Sequence, residues 1–353
     1  MIGQFYKGKS VLLTGHTGFK GSWMCRMLRT LGAEVHGYSL EAPTDPNLYG
    51  ISGADDYVDS EIGDIRDFDR LSKFYKGCKP DIVIHMAAQP LVRESYRIPR
   101  ETYETNVMGT VNLLECVRTL GHAGSVLNVT TDKVYYNDES GKACTEDMKL
   151  EGYDPYSNSK SCSDIITRSY VNSFFKDGPA VSVARAGNVI GGGDFSKDRI
   201  VPDCIRATLE GRSIGIRNPN SVRPFQHVLE PLYAYLVIAA EQYSDRSRAG
   251  AYNIGPDKED CISAGELARL FCECWGEGAS CEIADSSGPH EAGFLRLDNT
   301  LIKERFGLHP VLTVKDAVRM TVDWTREWDS SHDVTNCMDA QIDDYLKRRN
   351  ERV

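Results

Sequence analysis

The chain has 353 residues, enough for one large or two medium domains with a full core, and its 41% hydrophobic and 26% charged content is that of a soluble globular protein. A net charge of -10 at pH 7 argues against broad binding to nucleic acid or an anionic membrane, so an anionic ligand must meet local positive charge. Residues 1–9 lack the apolar core and small-residue cleavage site of a signal peptide, and no apolar run is long enough to span a bilayer; a cytoplasmic location is expected. The 11 cysteines are scattered, and Cys272, Cys274 and Cys281, the closest group, lack a fourth ligand, so reduced thiols and no metal site are expected.

Ser10–Thr14 has the length and character of a buried strand, followed at once by Gly15-His16-Thr17-Gly18-Phe19-Lys20-Gly21 and a helical stretch from Ser22 to Leu31. Glycines in such a turn keep it tight, let backbone amides approach a pyrophosphate and let the helix pack close to the sheet. A ligand-free tight turn looks the same locally, but the place after the first strand favours a dinucleotide site. Glu34–Tyr38 reads as the second strand. Its end, Tyr38-Ser39-Leu40-Glu41, lacks an acid in the usual place for an adenosine ribose and leaves NAD versus NADP open. A third strand precedes Gly63-Asp64-Ile65-Arg66-Asp67, where Asp64 either accepts from an adenine amino group or simply opens a helix.

Asp81–His85 is the fourth strand and ends in Met86-Ala87-Ala88-Gln89-Pro90, small residues that let a flat cofactor lie close to the backbone. Thr102–Leu120 is amphipathic, with Val107, Val111, Leu114 and Val117 at helical spacing and Asn106 toward the site. The fifth strand, Ser125–Val129, delivers Thr130-Thr131-Asp132-Lys133 to the same carboxyl edge. Tyr156 and Lys160 stand at i and i+4 of a helix running to about Phe175. A phenol is a poor base near neutrality, but a fixed ammonium beside it favours the phenolate, which could take an alcohol's proton as a hydride leaves the same carbon. Asp132-Lys133, taken alone, also reads as a solvated ion pair in a turn. The alternation of strands and helices predicts an α/β fold with a doubly wound parallel sheet, of Rossmann type, and a smaller C-terminal α/β substrate domain.

Beyond the sixth strand, Ala180–Arg185, the pattern changes to a glycine-rich crossover, Gly187–Asp194, and then a helix entered through Asp198–Asp203. Leu229–Glu241 is a helix that should return to the first domain, with a strand and turn, Ala251–Pro256, behind it. The predicted division is 1–187 with 226–258 as the dinucleotide-binding domain, and 188–225 with 259–353 as the second domain. The tail reads as helices around a short strand, Cys281–Ile283, with Trp275, Trp324 and Trp328 as packing residues.

Together, Gly15-x-x-Gly18-x-x-Gly21, Ala87-Ala88, Asn106-Val107-x-Gly109-Thr110 and Tyr156-x-x-x-Lys160 resemble the extended short-chain dehydrogenase/reductases that act on nucleotide sugars. Thr130-Thr131-Asp132-Lys133-Val134-Tyr135 is similar to the 4,6-dehydratases of that group, most of which carry glutamate where Lys133 stands. With Gly15–Trp23 and Ala88-Gln89-Pro90-Leu91-Val92-Arg93, that lysine resembles the branch acting on CDP-glucose.

The resemblance implies NAD, held by Gly15, Thr17, Gly18, Phe19, Lys20, Gly21, Asp64, Ile65, Ala87, Ala88, Gln89, Asn106, Thr130, Tyr156 and Lys160. It implies a nucleotide sugar held by Arg93, Thr131, Asn188, Arg199 and Arg223. Tyr156, helped by Lys160, would deprotonate the carbon 4 hydroxyl held by Thr131. Asp132 would protonate the water leaving carbon 6, and Lys133, as the neutral amine, would take the carbon 5 proton. The hydride returns to carbon 6, so NAD is regenerated. A 4-epimerase of the same fold needs neither that acid nor that base.

The same resemblance implies a homodimer through paired helices, Thr102–Leu120 and the one following Tyr156, and deoxysugar supply to a surface polysaccharide. Arg223-Pro224-Phe225-Gln226-His227-Val228 departs from its pattern by one residue, Phe225 standing for Trp. Glu291–Asp298 is similar to a segment near the sugar, without assignable roles.

Overall fold

The computed structural model describes residues 2–284 and 293–352. In chain order the first half comprises α1 (Ile2–Tyr6), β1 (Ser10–Thr14), α2 (Phe19–Thr30), β2 (Glu34–Ser39), α3 (Leu48–Ile51), β3 (Asp59–Ile62), α4 (Phe68–Cys78), β4 (Ile82–His85), α5 (Val92–Arg97), α6 (Pro99–Tyr103), α7 (Gly109–Leu120), β5 (Ser125–Val129), α8 (Pro155–Phe174) and β6 (Ala180–Ala186). The second half comprises β7 (Val189–Ile190), α9 (Ile200–Leu209), β8 (Ile214–Ile216), β9 (Val222–Arg223), β10 (Gln226–His227), α10 (Leu229–Ser244), β11 (Ala251–Ile254), β12 (Ile262–Ser263), α11 (Ala264–Trp275), β13 (Cys281–Ile283), α12 (Thr300–Phe306), α13 (Val314–Ser331) and α14 (Thr335–Glu351).

Seven strands form one sheet in the order β3-β2-β1-β4-β5-β6-β11, and every pairing in it is parallel. The strand order reverses between β1 and β4, so the crevice for a ligand opens at the carboxyl ends of these two strands. β4, β5 and β6 are buried along their whole length, as strands covered by helices on both faces must be. Trp23, Leu28, Leu232 and Tyr235 pack on one face, and Leu71, Leu114 and Val117 on the other. This is the doubly wound parallel sheet expected from the alternation of elements.

A smaller α/β part is built from the two-stranded pairs β7–β10 and β8–β13, both parallel, and β9–β12, antiparallel. Its core holds Phe225, Phe271 and Val318, and Trp275 stacks on Phe271. Trp324 on α13 and Met338, Ile342 and Tyr345 on α14 instead join the core that contains Trp23 and Leu28. Glu230 of α10 fixes this arrangement. Its carboxylate accepts from the Val311 and Leu312 amides at 2.7 and 2.8 Å, from Tyr345 at 3.1 Å and from Arg349.

Two local expectations change. The helix after the glycine loop begins at Phe19 rather than Ser22, because Gly18, with extended backbone, already serves as its N-cap. The single helix expected over Thr102–Leu120 is α6, a π-helical turn at Glu104–Met108, and α7. Apolar spacing hides the wider turn. It coincides with Asn106, whose side chain ties Gln89 to Ser159.

Candidate active site

The glycine loop leaves β1 and enters α2 directly. Gly15 has a φ of +78°, and a Cβ there would lie 2.8 Å from the Ala87 amide nitrogen; a Cβ on Gly21 would lie 2.1 Å from the Gly15 carbonyl oxygen. Close packing of the protein on itself therefore demands glycine at both positions. Gly18 is different: its Cβ would meet nothing nearer than the Gly15 oxygen at 3.5 Å. Open space over Gly18 at a helix N-terminus fits a pyrophosphate approaching the backbone. The Thr17 hydroxyl donates to the Leu40 carbonyl at 2.9 Å and bonds Ser39, tying the loop to the end of β2. The Phe19 ring lies 3.2 Å from where Gly191 would carry a Cβ, so it packs on the crossover.

Around this loop, several of the expected residues hold protein rather than open space. Ala87 donates its amide to Thr14 Oγ1 at 3.1 Å, and Ala88 is half-buried beside it. Asn106 accepts from the Gln89 amide at 2.8 Å and donates to the Gln89 carbonyl and to Ser159 Oγ. Ile65 is a core residue. Asp64 is paired with Arg66 at 2.6 Å, and that guanidinium holds its carboxyl below the usual carboxylate range. Thr130, by contrast, is buried with a hydroxyl that has no protein partner.

The catalytic candidates converge at the end of β5. Thr131 caps a 3-10 turn at Asp132–Val134, and its hydroxyl donates to Asp132 Oδ1 at 2.9 Å. Asp132 is fully buried; Oδ1 also accepts from Lys133 Nζ at 3.0 Å, while Oδ2 has no protein partner. Asn188 Oδ1 accepts from the same Lys133 nitrogen at 3.1 Å. The turn is fixed from behind. Tyr135 donates to Asn253 Oδ1 at 2.5 Å and accepts from Arg185 at 2.8 Å, and Arg185 clasps Asp164 of α8 at 2.7 Å with both side chains buried.

Tyr156 and Lys160 project from the start of α8, whose N-cap Asp154 accepts from the Ser157 amide. Burial pushes the Tyr156 phenol up to about 12; Thr131 and Arg199 pull it down, and Asp132 pushes it further up. Burial, with Lys20 second, lowers the Lys160 amine to about 7. The amine donates to the Val129 carbonyl at 3.0 Å rather than to the phenol. Burial of the pair thus favours the neutral form of each group in the ligand-free protein.

Among the substrate candidates, Arg199 pairs with Asp194 at 2.8 Å and Arg93 with Asp198 at 3.5 Å. Arg223 is buried and donates to the Val222 carbonyl at 2.9 Å. Phe225 is buried in the second core. Of the stretch Glu291–Asp298, Glu291 and Ala292 lie outside the described residues; Phe294 accepts from Asn137 at 2.9 Å and Arg296 from the Cys144 amide at 2.8 Å.

The surroundings of Lys20, and the buried groups Tyr235 and His85, emerge only here. Lys20 reaches past the loop to Tyr235 on α10, 3.3 Å away; burial, then Arg199, lowers its amine to about 8, with Asp132 opposing. Tyr235 is buried and feels both Tyr156 and Asp132. Behind the sheet edge, His85 bonds Thr14 at 2.7 Å and Thr110 at 3.2 Å, and Thr110 bonds Ser163 at 2.9 Å, a buried polar chain linking β1, β4, α7 and α8. The sequence signals were faint: a histidine closing an apolar strand, and a tyrosine inside an apolar helix.

A glycine loop at the strand-order reversal, with Thr131, Tyr156 and Lys160 gathered over it, defines the class: a short-chain dehydrogenase/reductase type of enzyme. A family model described as GDP-mannose 4,6 dehydratase matches residues 12–321, and the chain belongs to that family. It is 44% identical over 349 residues to a CDP-glucose 4,6-dehydratase of Salmonella typhimurium, covering 97% of both chains. A dTDP-glucose 4,6-dehydratase of Streptomyces griseus is 31% identical, with 89% of this chain and 93% of the relative covered. Among solved structures, the dTDP-glucose 4,6-dehydratase DesIV of Streptomyces venezuelae, solved with NAD bound, aligns with a TM-score of 0.77 at 27% identity over 90% of this chain and 97% of that one. A UDP-glucose-4-epimerase of Stenotrophomonas maltophila reaches 0.81 at 21% identity over 91% and 99%, which speaks to the fold alone.

Proposed function

We propose that this protein is an NAD-dependent CDP-D-glucose 4,6-dehydratase, a hydro-lyase that converts CDP-D-glucose to CDP-4-keto-6-deoxy-D-glucose and water. The observation that carries this reading is the near full-length 44% identity to a CDP-glucose 4,6-dehydratase, joined to an Asp132-Lys133 pair at the end of β5. NAD bound at the glycine loop would supply the hydride acceptor for oxidation at carbon 4 and the hydride donor for reduction at carbon 6. Gly15, Thr17, Gly18, Phe19, Lys20 and Gly21 are assigned to holding it, with Thr130 offering a free hydroxyl.

The roles of the protein groups follow from their chemistry. Tyr156 takes the carbon 4 hydroxyl proton; Thr131 and Arg199 both lower the cost of the phenolate. Lys160, lowered to about 7, can carry that proton onward from a pocket where a permanent charge is costly. Once carbon 4 is a ketone, the carbon 5 proton is acidified, and Lys133 removes it. Asp132 Oδ2, buried and unpartnered, is the oxygen left to protonate the carbon 6 hydroxyl as it departs. Arg93, Arg199 and Arg223 are assigned to the diphosphate and ribose, exchanging their present partners for phosphate oxygens.

The same reading assigns 1–187 with 226–258 to NAD, and 188–225 with 259–353 to the nucleotide sugar, although α14 packs on the first core. It makes the protein cytoplasmic, in support of which no helix among the described residues is long and apolar enough to cross a membrane. It also makes the protein a homodimer supplying a deoxysugar to surface polysaccharide. The test is proton NMR in heavy water with NAD and CDP-, dTDP-, UDP- or GDP-glucose. A new 6-methyl signal and deuterium at carbon 5 from CDP-glucose are expected. Conversion to a galactose configuration without a methyl would replace this reading with a 4-epimerase.

A further inference from the structure

Lys133 holds its amine between two acceptors that come from distant parts of the chain. Asp132 Oδ1, 3.0 Å away, belongs to the turn after β5; Asn188 Oδ1, 3.1 Å away, belongs to the crossover after β6, 55 positions later. Asn188 is itself anchored, because its carbonyl accepts from the Gln226 amide at 3.1 Å just where β7 and β10 pair. The Lys133 side chain as a whole remains 27% exposed, so these contacts do not enclose it.

Counting donors turns this geometry into a function. An ammonium has three N–H groups, whereas a neutral amine has two and one lone pair. In the neutral form that proton abstraction requires, two acceptors at bonding distance would take both N–H groups and leave the lone pair as the remaining direction. We propose that Asn188 is a positioning residue for the dehydration step: with Asp132 it fixes the Lys133 amine so that the lone pair faces the carbon 5 proton. The inference rests on the dehydratase reading and gives the Asn188 carboxamide oxygen a task separate from binding phosphate.

The step balances without a further oxidant or reductant. The Lys133 lone pair forms the N–H bond, the electrons of the carbon 5–hydrogen bond become the carbon 5–carbon 6 double bond, and the carbon 6–oxygen bond breaks. The proton that completes the leaving water comes from Asp132 Oδ2, while Oδ1 goes on accepting from Lys133.

The experiment compares the holoenzyme with Asn188→Ala and Asn188→Asp, using NAD and CDP-glucose in heavy water. Carbon 4 oxidation is read from the ultraviolet absorbance of reduced nicotinamide, dehydration from the 6-methyl and carbon 5 deuterium signals, and nucleotide binding from calorimetric titration with CDP. Misaiming a reacting group by an ångström costs about 100-fold, so Asn188→Ala at saturating CDP-glucose should slow dehydration by about that factor beyond any change in carbon 4 oxidation, while the titration reads separately whatever Asn188 contributes to holding CDP. Asn188→Asp keeps the acceptor but sets a second carboxylate beside the amine and favours the ammonium, so dehydration should recover relative to alanine only as the pH is raised. A carboxylate facing a diphosphate would instead cut CDP affinity sharply. Parallel loss of oxidation, dehydration and CDP binding in Asn188→Ala, or dehydration at the wild-type rate, overturns the inference. A wild-type protein that makes no methyl product from any of the four nucleotide sugars overturns the dehydratase reading and this inference together.

Discussion

At Tyr156 and Lys160 the dominant force is desolvation, which sets the phenol at about 12 and the amine at about 7. The sign of the resulting pH dependence follows from proton counting. The unfolded chain holds the Lys160 proton up to 10.5 and the folded chain only to about 7, so between those values unfolding takes up protons and stability rises with pH. Lys20, at about 8, adds to the same trend; Tyr156 reverses it above pH 10, where only the folded chain keeps the phenol proton. The thiols of Cys25, Cys78 and Cys204, raised by burial from 9.0, oppose this trend as the pH nears 9, so the lysine contribution is read as a difference: in urea unfolding the stability of wild type relative to Lys160→Met should rise by about 1–2 kcal/mol from pH 7.5 to 9.5. In turnover, Tyr156→Phe should lower carbon 4 oxidation by about 1,000-fold without loss of CDP binding. Asp132→Asn should leave oxidation intact and slow the loss of water by about 100-fold or more. Stopped-flow absorbance separates the two, and full turnover by either variant would remove that residue from its role.

The glycine loop and the turn after β5 make their demands as elements. An alanine at Gly21 would put its Cβ against backbone, 2.1 Å from the Gly15 oxygen, so the loop must shift; a destabilisation of about 2–3 kcal/mol and loss of NAD binding are expected. Gly18→Ala has room, and should change thermal stability by less than about 0.5 kcal/mol while still weakening NAD, measured by fluorescence titration. Equal NAD affinity in Gly18→Ala and wild type would contradict the placement of the pyrophosphate there. The turn carrying Asp132 and Lys133 leans on Arg185. Arg185→Met leaves the Asp164 carboxylate buried without its partner, which costs about 3–5 kcal/mol in chemical denaturation.

For the whole molecule, the surface formed by the π-helical turn, α7 and α8 carries exposed apolar side chains: Met108 at 49%, Ile165 at 49% and Phe174 at 54% exposure. Solvation of such groups is a cost that a second copy of the chain would remove. The proposed homodimer should therefore dissociate in the double variant Met108→Glu, Ile165→Glu, with light scattering after size exclusion reporting the monomer mass. A wild-type protein that elutes as a monomer would end that assignment. Away from this face, the Glu230–Tyr345–Arg349 cluster binds α14 to α10, so the last helix stabilises the parallel-sheet part of the molecule from the far end of the chain.

Local signals in the sequence determined the central strands and the glycine loop, and singled out Tyr156 with Lys160 and Thr131-Asp132-Lys133 as the candidates for the reacting group. Each is a short run whose spacing or residue type already carries its chemistry. The relatives and the parallel sheet agree with the family read from those motifs. Other features depend on residues far apart in the chain, and only the tertiary structure decided them. Lys20 meets Tyr235 across 215 positions, Asn188 meets Lys133 across 55, and Arg185 meets Tyr135 across 50. No periodicity encodes such pairs. The energetics of the active pair were equally invisible: an i,i+4 spacing brings a phenol and an amine to one face of a helix, but burial, a property of everything packed around them, decides which of them holds the proton.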